Sequence, residues 1–71
     1  MKTSFLIDEW DDTAAIHRCH GYYDETEARD DFKKWIDDPN FRGAVCLFRW
    51  NETAAEYQPV IKIIRREERS K

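Results

Sequence analysis

Residues 22–39, Y-Y-D-E-T-E-A-R-D-D-F-K-K-W-I-D-D-P, form the stretch from which the fold of this chain is read most directly. Asp24 has the short carboxylate that is typical of a helix N-cap, and Glu27 follows at the capping-box spacing. Pro39 disfavours helical geometry in the residue before it, which ends the helix. The stretch therefore predicts one helix over about residues 25–38.

The apolar side chains of this helix fall on a single stripe, at spacings i, i+4, i+7 and i+8. The stripe consists of Ala28, Phe32, Trp35 and Ile36. Charged residues occupy the opposite face of the helix. We therefore expect the stripe to pack against the apolar residues that lie on either side of the helix in the sequence.

Runs of β-branched, aliphatic and aromatic residues on both sides of the helix predict strands. The second run has a competing interpretation, because Thr13 is suited to cap a short helix, but its residue types favour a strand. Pro59 cannot donate a ladder hydrogen bond, so the last strand is expected either to lie at a sheet edge or to start after Pro59. The four predicted strands span about residues 3–10, 15–23, 41–50 and 57–66.

The order strand, strand, helix, strand, strand predicts an α+β fold in a single domain, residues 1–71, with no internal repeat. Hairpins on each side of the helix favour a four-stranded antiparallel sheet with the helix across one face. The later strands carry apolar residues on both faces, so the face without the helix holds large side chains. Exposed apolar surface of this kind marks interaction sites. We expect it to be buried against a second copy of the chain or a partner protein.

The chain is acidic, with a net charge of −3 at pH 7, and its charge is divided unevenly. Residues 1–40 hold 11 acidic and 5 basic residues, a balance of −6, whereas residues 41–71 hold 4 acidic and 7 basic residues, a balance of +3. Such asymmetry bears on partners rather than on the fold. No segment has the length of a signal-peptide core or a membrane span, and two cysteines are too few for a disulfide scaffold. We expect a cytoplasmic protein that does not bind membranes.

Residues 17–20, His-Arg-Cys-His, are the one cluster with metal-ligating residue types, and Cys46 is a further candidate. On a strand, His17 and Cys19 share a face and His20 lies on the other, so at most two ligands converge from this segment. Neither a nucleophile with its base nor a glycine-rich phosphate loop stands out. We expect no metal, no cofactor and no enzymatic activity.

Single-stranded nucleic acid is the second candidate ligand, because aromatic side chains on a sheet stack with bases and arginines bind phosphates. The acidic balance and the absence of an RNA-recognition signature rank it below a protein partner. The residues that would serve this function are Tyr22, Phe48 and Trp50 with Arg18, Arg42, Arg49 and Arg66.

In its small size, acidic bias, lack of catalytic motifs and single-helix plan, the chain resembles small accessory proteins of phages and other mobile elements, anti-CRISPR inhibitors among them. The resemblance covers general character and no motif, so it transfers no residues. It implies a protein that binds and obstructs another protein.

These observations predict a small interaction module, an inhibitor or adaptor, that binds through an apolar sheet face and an acidic rim. Its partner is another protein, with a nucleic-acid-binding complex as one candidate, since clustered acids can occupy a basic groove. Aromatic anchors carry much of the energy of such interfaces, and acids steer the encounter. The predicted binding residues are Asp8, Glu9, Trp10, Asp11, Asp12, Phe48 and Trp50.

Overall fold

The computed structural model describes residues 3–65 and confirms the predicted order of elements and the α+β fold. The predicted bounds differ from the observed ones by two residues at most, and the predicted end of the last strand at residue 66 lies outside the described residues. The elements are β1 (Phe5–Asp11), β2 (Ile16–Tyr22), α1 (Glu25–Asp37), β3 (Gly43–Asn51) and β4 (Glu56–Arg65).

The four strands form one antiparallel sheet in the order β2-β1-β3-β4. The segment with the competing helical interpretation is the strand β2, as predicted. The predicted edge position of Pro59 is also confirmed, since β4 is an outer strand. The register of β3 and β4 shifts after the pair Leu47–Ile61, which leaves Val60 as a bulge residue.

The helix begins and ends where its sequence signals predict. The Asp24 carboxylate accepts a hydrogen bond from the Glu27 amide at 3.0 Å, which satisfies one of the free amides of the first turn. The predicted stripe faces the sheet, with Trp35 partly buried and tilted against Phe41 at a ring-centroid distance of 5.7 Å. The core beneath the helix consists of Phe5, Ile7, Ala28, Phe32, Phe41, Val45 and Leu47.

The turns of the two hairpins have nearly the same sequence, W-D-D-T-A-A at residues 10–15 and W-N-E-T-A-A at residues 50–55. The expectation of no internal repeat is therefore wrong. In each turn an Asp or Asn side chain accepts a hydrogen bond from a backbone amide, and the last alanine of the turn has a positive φ. The amide bonds are Thr13 to Asp11 at 2.9 Å and Ala54 to Asn51 at 2.9 Å, and the φ angles are 54° at Ala15 and 53° at Ala55.

Candidate protein-binding face of the sheet

The sheet face opposite α1 is formed by alternate residues of all four strands. In β1, Phe5 and Ile7 are buried in the core beneath the helix, so their neighbours point to the other side. Directly paired residues share a face, and the register extends this assignment across the sheet. We call this surface the open face; it carries Leu6, Asp8, Trp10, His17, Cys19, Ala44, Cys46, Phe48, Trp50, Tyr57, Pro59, Lys62 and Ile64.

The side chains of the open face differ widely in exposure. Trp10 is 39% exposed and Ile64 is 55% exposed, whereas Cys46 between their strands is nearly buried at 7%. Trp50 is half-buried because it packs edge-on against Tyr57, at a ring-centroid distance of 5.1 Å. Among the predicted anchors, Trp10 is therefore the one most available for contact with another molecule.

A shallow depression of about 330 Å³ lies in the middle of the open face. Its polar groups are few: Asp8 and His17, which contact each other through Oδ1 and Nε2, and Lys62. Burial raises the pKa of the Cys46 thiol, and the Lys62 charge opposes that shift. The lining is Asp8, Trp10, His17, Ala44, Cys46, Phe48, Pro59 and Lys62, which is the composition of an apolar contact site with a small polar centre.

The predicted acidic run is divided between the two sides of the sheet. Asp8 lies on the open face, but Glu9 has an exposure of 0% and lies on the helix side. There its carboxylate accepts two hydrogen bonds from Arg18 Nη1, at 3.1 and 3.2 Å. The prediction of Glu9 as a surface residue is wrong, because strand alternation turns it into the interior.

Of the other two predicted acids, Asp11 ends β1 on the helix side, paired with Ile16, and Asp12 follows in the turn, so together they make this end of the sheet acidic. Asp12 accepts a hydrogen bond from the Trp10 indole at 2.6 Å, which orients that ring. At the opposite end, the exposed Glu52 and Glu56 flank the second hairpin turn. Sequence reasoning missed this second acidic end, although the repeated turn sequence was the signal for it.

The candidate metal ligands are spread over the sheet. His17 and Cys19 share the open face and His20 lies on the helix side, as predicted. Cys19 and Cys46 both pair with Asp8, from opposite sides of β1, so two strand spacings or about 10 Å separate them, too far for a disulfide. Both thiols are free, and no group of three possible metal ligands occurs within residues 3–65.

Most residues of the nucleic-acid alternative lie away from the open face. Arg18 pairs with Glu9 on the helix side, and Arg49 lies over the Phe5 ring at 5.5 Å. Tyr22 also faces the helix. Arg42 donates to the carbonyls of Pro39 and Phe41, and Arg66 lies outside the described residues. Of the members of that set within residues 3–65, Phe48 and Trp50 lie on the open face.

Two further findings bear on the role of the open face. The described part of the chain has one helix, and its 13 residues are too few and too polar to cross a membrane. Comparison of the chain with protein-family models, with curated proteins and with solved structures gives no match.

Proposed function

We propose that this chain is a non-catalytic protein-binding module, an inhibitor or adaptor that covers part of a partner protein with its open face. One observation carries the proposal: Trp10 and Ile64 are exposed beside an apolar depression that no helix or strand of residues 3–65 covers. Exposed apolar patches with an aromatic anchor are characteristic of protein interfaces. Obstruction of another protein is also what the resemblance to phage accessory proteins implies.

The charges around the open face define the chemistry of the partner. Acidic groups stand at both ends of the sheet, in and beside the two hairpin turns, Asp11 and Asp12 at one and Glu52 and Glu56 at the other. The complementary surface is an apolar patch flanked by lysines and arginines, as at the rim of a nucleic-acid-binding groove. A second copy of this chain would instead bring acidic ends together. Because both cysteines are free thiols, we assign the partner to the cytoplasm.

Affinity capture from the source organism with three immobilised proteins tests this function. They are the wild type, the open-face variant Trp10→Ala/Ile64→Ala, and the control Ile16→Ala. Ile16 is a matched control because it is 43% exposed, close to Trp10, but lies on the other side of the sheet. Parallel samples are treated with nuclease or washed at high salt.

The proposal predicts a protein that the wild type and Ile16→Ala retain and the open-face variant loses. Its retention survives nuclease and weakens at high salt, because salt screens the acidic ends. Equal capture by the open-face variant contradicts the assignment of the face, as does the absence of any protein that separates the variants. If nuclease abolishes capture and short single strands bind instead, the nucleic-acid alternative replaces it.

A further inference from the structure

The two outer strands of the sheet differ in how well they are protected against pairing with another strand. β4 contains Pro59, which has no amide hydrogen, and its register with β3 is interrupted by a bulge. β2 has no proline, and all seven of its residues pair with β1 without a shift. Within residues 3–65, no strand lies against the outer side of β2. Its outer edge is therefore regular enough to accept a further strand.

Two hydrogen bonds identify the backbone groups of β2 that point outward. The Ser4 carbonyl accepts a hydrogen bond from the Trp50 amide, and the Asp12 amide donates one to the Arg42 carbonyl. The even-numbered residues of β1 therefore direct their backbone amides and carbonyls toward β3. Odd-numbered residues of β1 then bond to β2, through its even-numbered residues. Within residues 3–65, the amides and carbonyls of β2 that point outward and pair with no strand belong to three exposed residues: His17, Cys19 and Gly21.

A groove of about 390 Å³ lies on the helix side of this edge, between β2 and α1. Tyr22 donates a hydrogen bond to Asp31 at 2.7 Å, and Lys34 pairs with the same carboxylate at 3.3 Å. His20 Nε2 is buried and has no hydrogen-bond partner within the described part of the chain. The groove is lined by His20, Tyr22, Asp31, Lys34 and Trp35.

We propose that the outer edge of β2 and this groove together bind an extended peptide segment of a partner protein as a fifth strand, with one arginine side chain of that segment in the groove. A strand added to β2 projects alternate side chains to the helix side, and the residue opposite His20 is one of them. The site goes beyond the proposed function, because its groove shares no residue with the depression of the open face, and His17 is the one residue of the β2 edge that lines that depression.

The chemistry of the groove selects arginine. Trp35 and Tyr22 offer aromatic surface on which a guanidinium stacks, and the Asp31 carboxylate accepts its hydrogen bonds. The Lys34 side chain is 79% exposed, and an ion pair so open to water is weak and readily exchanged. The unpartnered His20 nitrogen is a further acceptor when it carries no proton, and a buried polar atom gains from receiving a donor.

Fluorescence anisotropy with a labelled peptide tests the site. The probe is acetyl-Thr-Val-Thr-Arg-Thr-Val-Thr-amide, whose central arginine is replaced by the neutral isostere citrulline or by glutamate in matched peptides. A further pair carries N-methyl groups, either on the two threonines that flank the arginine or on the arginine itself. The protein variants are Lys34→Gln, Asp31→Asn and the control Lys33→Gln, since Lys33 pairs with Asp37 on the same helix.

We expect the arginine peptide to bind about tenfold more tightly than the citrulline peptide, and Asp31→Asn to remove that difference. Lys34→Gln strengthens binding about threefold, because it releases Asp31 from a competing cation. Lys33→Gln leaves binding unchanged. For an antiparallel fifth strand, N-methylation of the flanking threonines abolishes binding, whereas N-methylation of the arginine amide, which then points to solvent, does not.

Several outcomes overturn the proposal, and they are separable from failure of the proposed function. Equal binding of the arginine and citrulline peptides removes the arginine site, and weaker binding by Lys34→Gln indicates an anionic ligand instead. Insensitivity to N-methylation excludes strand addition, and no binding at millimolar peptide excludes the site. The open-face variant Trp10→Ala/Ile64→Ala binds the peptide like the wild type if the two surfaces are distinct.

Discussion

Glu9 is the one charged residue that is fully buried within residues 3–65, and a single side chain compensates its buried charge. Arg18 supplies both hydrogen bonds to the carboxylate, while its own side chain is 39% exposed. The two members of the pair are therefore not equivalent. Loss of Arg18 leaves a buried charge without compensation, whereas loss of the carboxylate leaves a cation that can turn to water.

We predict that Arg18→Met lowers the free energy of unfolding by about 3 kcal/mol and that Glu9→Gln lowers it by less. The double variant Glu9→Met/Arg18→Met recovers most of the loss, because no buried charge remains. Urea denaturation followed by tryptophan fluorescence measures the three values. A larger loss in Glu9→Gln than in Arg18→Met would show that the carboxylate contributes packing or contacts beyond this pair.

Tyr22 and Asp31 shift each other's pKa in opposite directions. Burial raises the pKa of Tyr22 to about 12, and the hydrogen bond to Asp31 adds to that shift. The same hydrogen bond is the largest cause that lowers the pKa of Asp31, with Lys34 second. The phenol therefore contributes stability that is lost as pH rises from about 10 to 12, and the carboxylate contributes stability that is lost as pH falls through its lowered pKa.

We predict that Tyr22→Phe removes the phenol whose pKa is raised and brings the pKa of Asp31 up toward its ordinary value. Ultraviolet absorbance follows the phenols, and carboxyl carbon chemical shifts in NMR follow Asp31. Tyr23→Phe is the matched control, since Tyr23 is 63% exposed and lies one residue away. An Asp31 pKa that is the same in Tyr22→Phe and the wild type would show that Lys34 alone sets it.

At the scale of elements, the two hairpins share a turn that holds an alanine in the left-handed region. The φ angles of 54° at Ala15 and 53° at Ala55 cost about 1 kcal/mol each for a residue with a Cβ atom. Glycine has no such penalty, although it gives the unfolded chain more freedom. The balance favours glycine at these two positions by about 0.5 kcal/mol.

We therefore predict that Ala15→Gly and Ala55→Gly each raise the melting temperature by about 3 °C. Ala14→Gly and Ala54→Gly are matched controls one residue earlier, where φ is not positive, and we expect them to lower it. Differential scanning calorimetry measures all four. A lower melting temperature in Ala15→Gly would mean that the alanine methyl group makes contacts worth more than the strain.

Local signals explain why so much of the fold is predictable from the sequence. The N-cap at Asp24, the stripe of α1 and Pro39 are each decided within a few residues. The burial of Glu9 was within reach of the same reasoning, since alternation from Phe5 and Ile7 places it in the interior. Because Glu9 stands in a run of acidic residues, the composition of that run alone indicates a solvent-exposed side chain, and only the alternation of β1 shows that it is buried.

The groove between β2 and α1 could not be predicted from the sequence. It requires that β2 be an outer strand and that the flank of α1 with Asp31 and Lys34 lie over it. Both facts follow from the order of strands in the sheet, a long-range property that no short stretch of sequence contains. The open face is predictable in part. Strand alternation identifies its residues, but the exposure of each residue depends on packing such as that of Trp50 on Tyr57.

For the whole molecule, the open face and the groove beside β2 lie on opposite sides of the sheet, and the β2 edge contributes His17 and Cys19 to both proposed sites. Partner contact at the open face leaves the edge of β2 and its groove accessible, so one molecule can engage two sites of a partner at once. Linking two weak contacts in this way raises the overall affinity without any new contact, provided that the partner's geometry allows both. The same surfaces also decide whether the chain associates with itself.

We predict that the protein is a monomer at low ionic strength. Two open faces brought together place acidic ends against acidic ends, while pairing of two β2 edges with Arg18 opposite His20 would draw Arg18 away from the buried Glu9 carboxylate. The edge of β4 is blocked by Pro59 and the bulge.

Size-exclusion chromatography with light scattering measures the mass, at low salt and again at high salt, where screening removes the repulsion between acidic ends. A dimer at low salt that Trp10→Ala disrupts and Ile16→Ala does not would make the open face a homodimer interface. It would also require a contact strong enough to outweigh the repulsion.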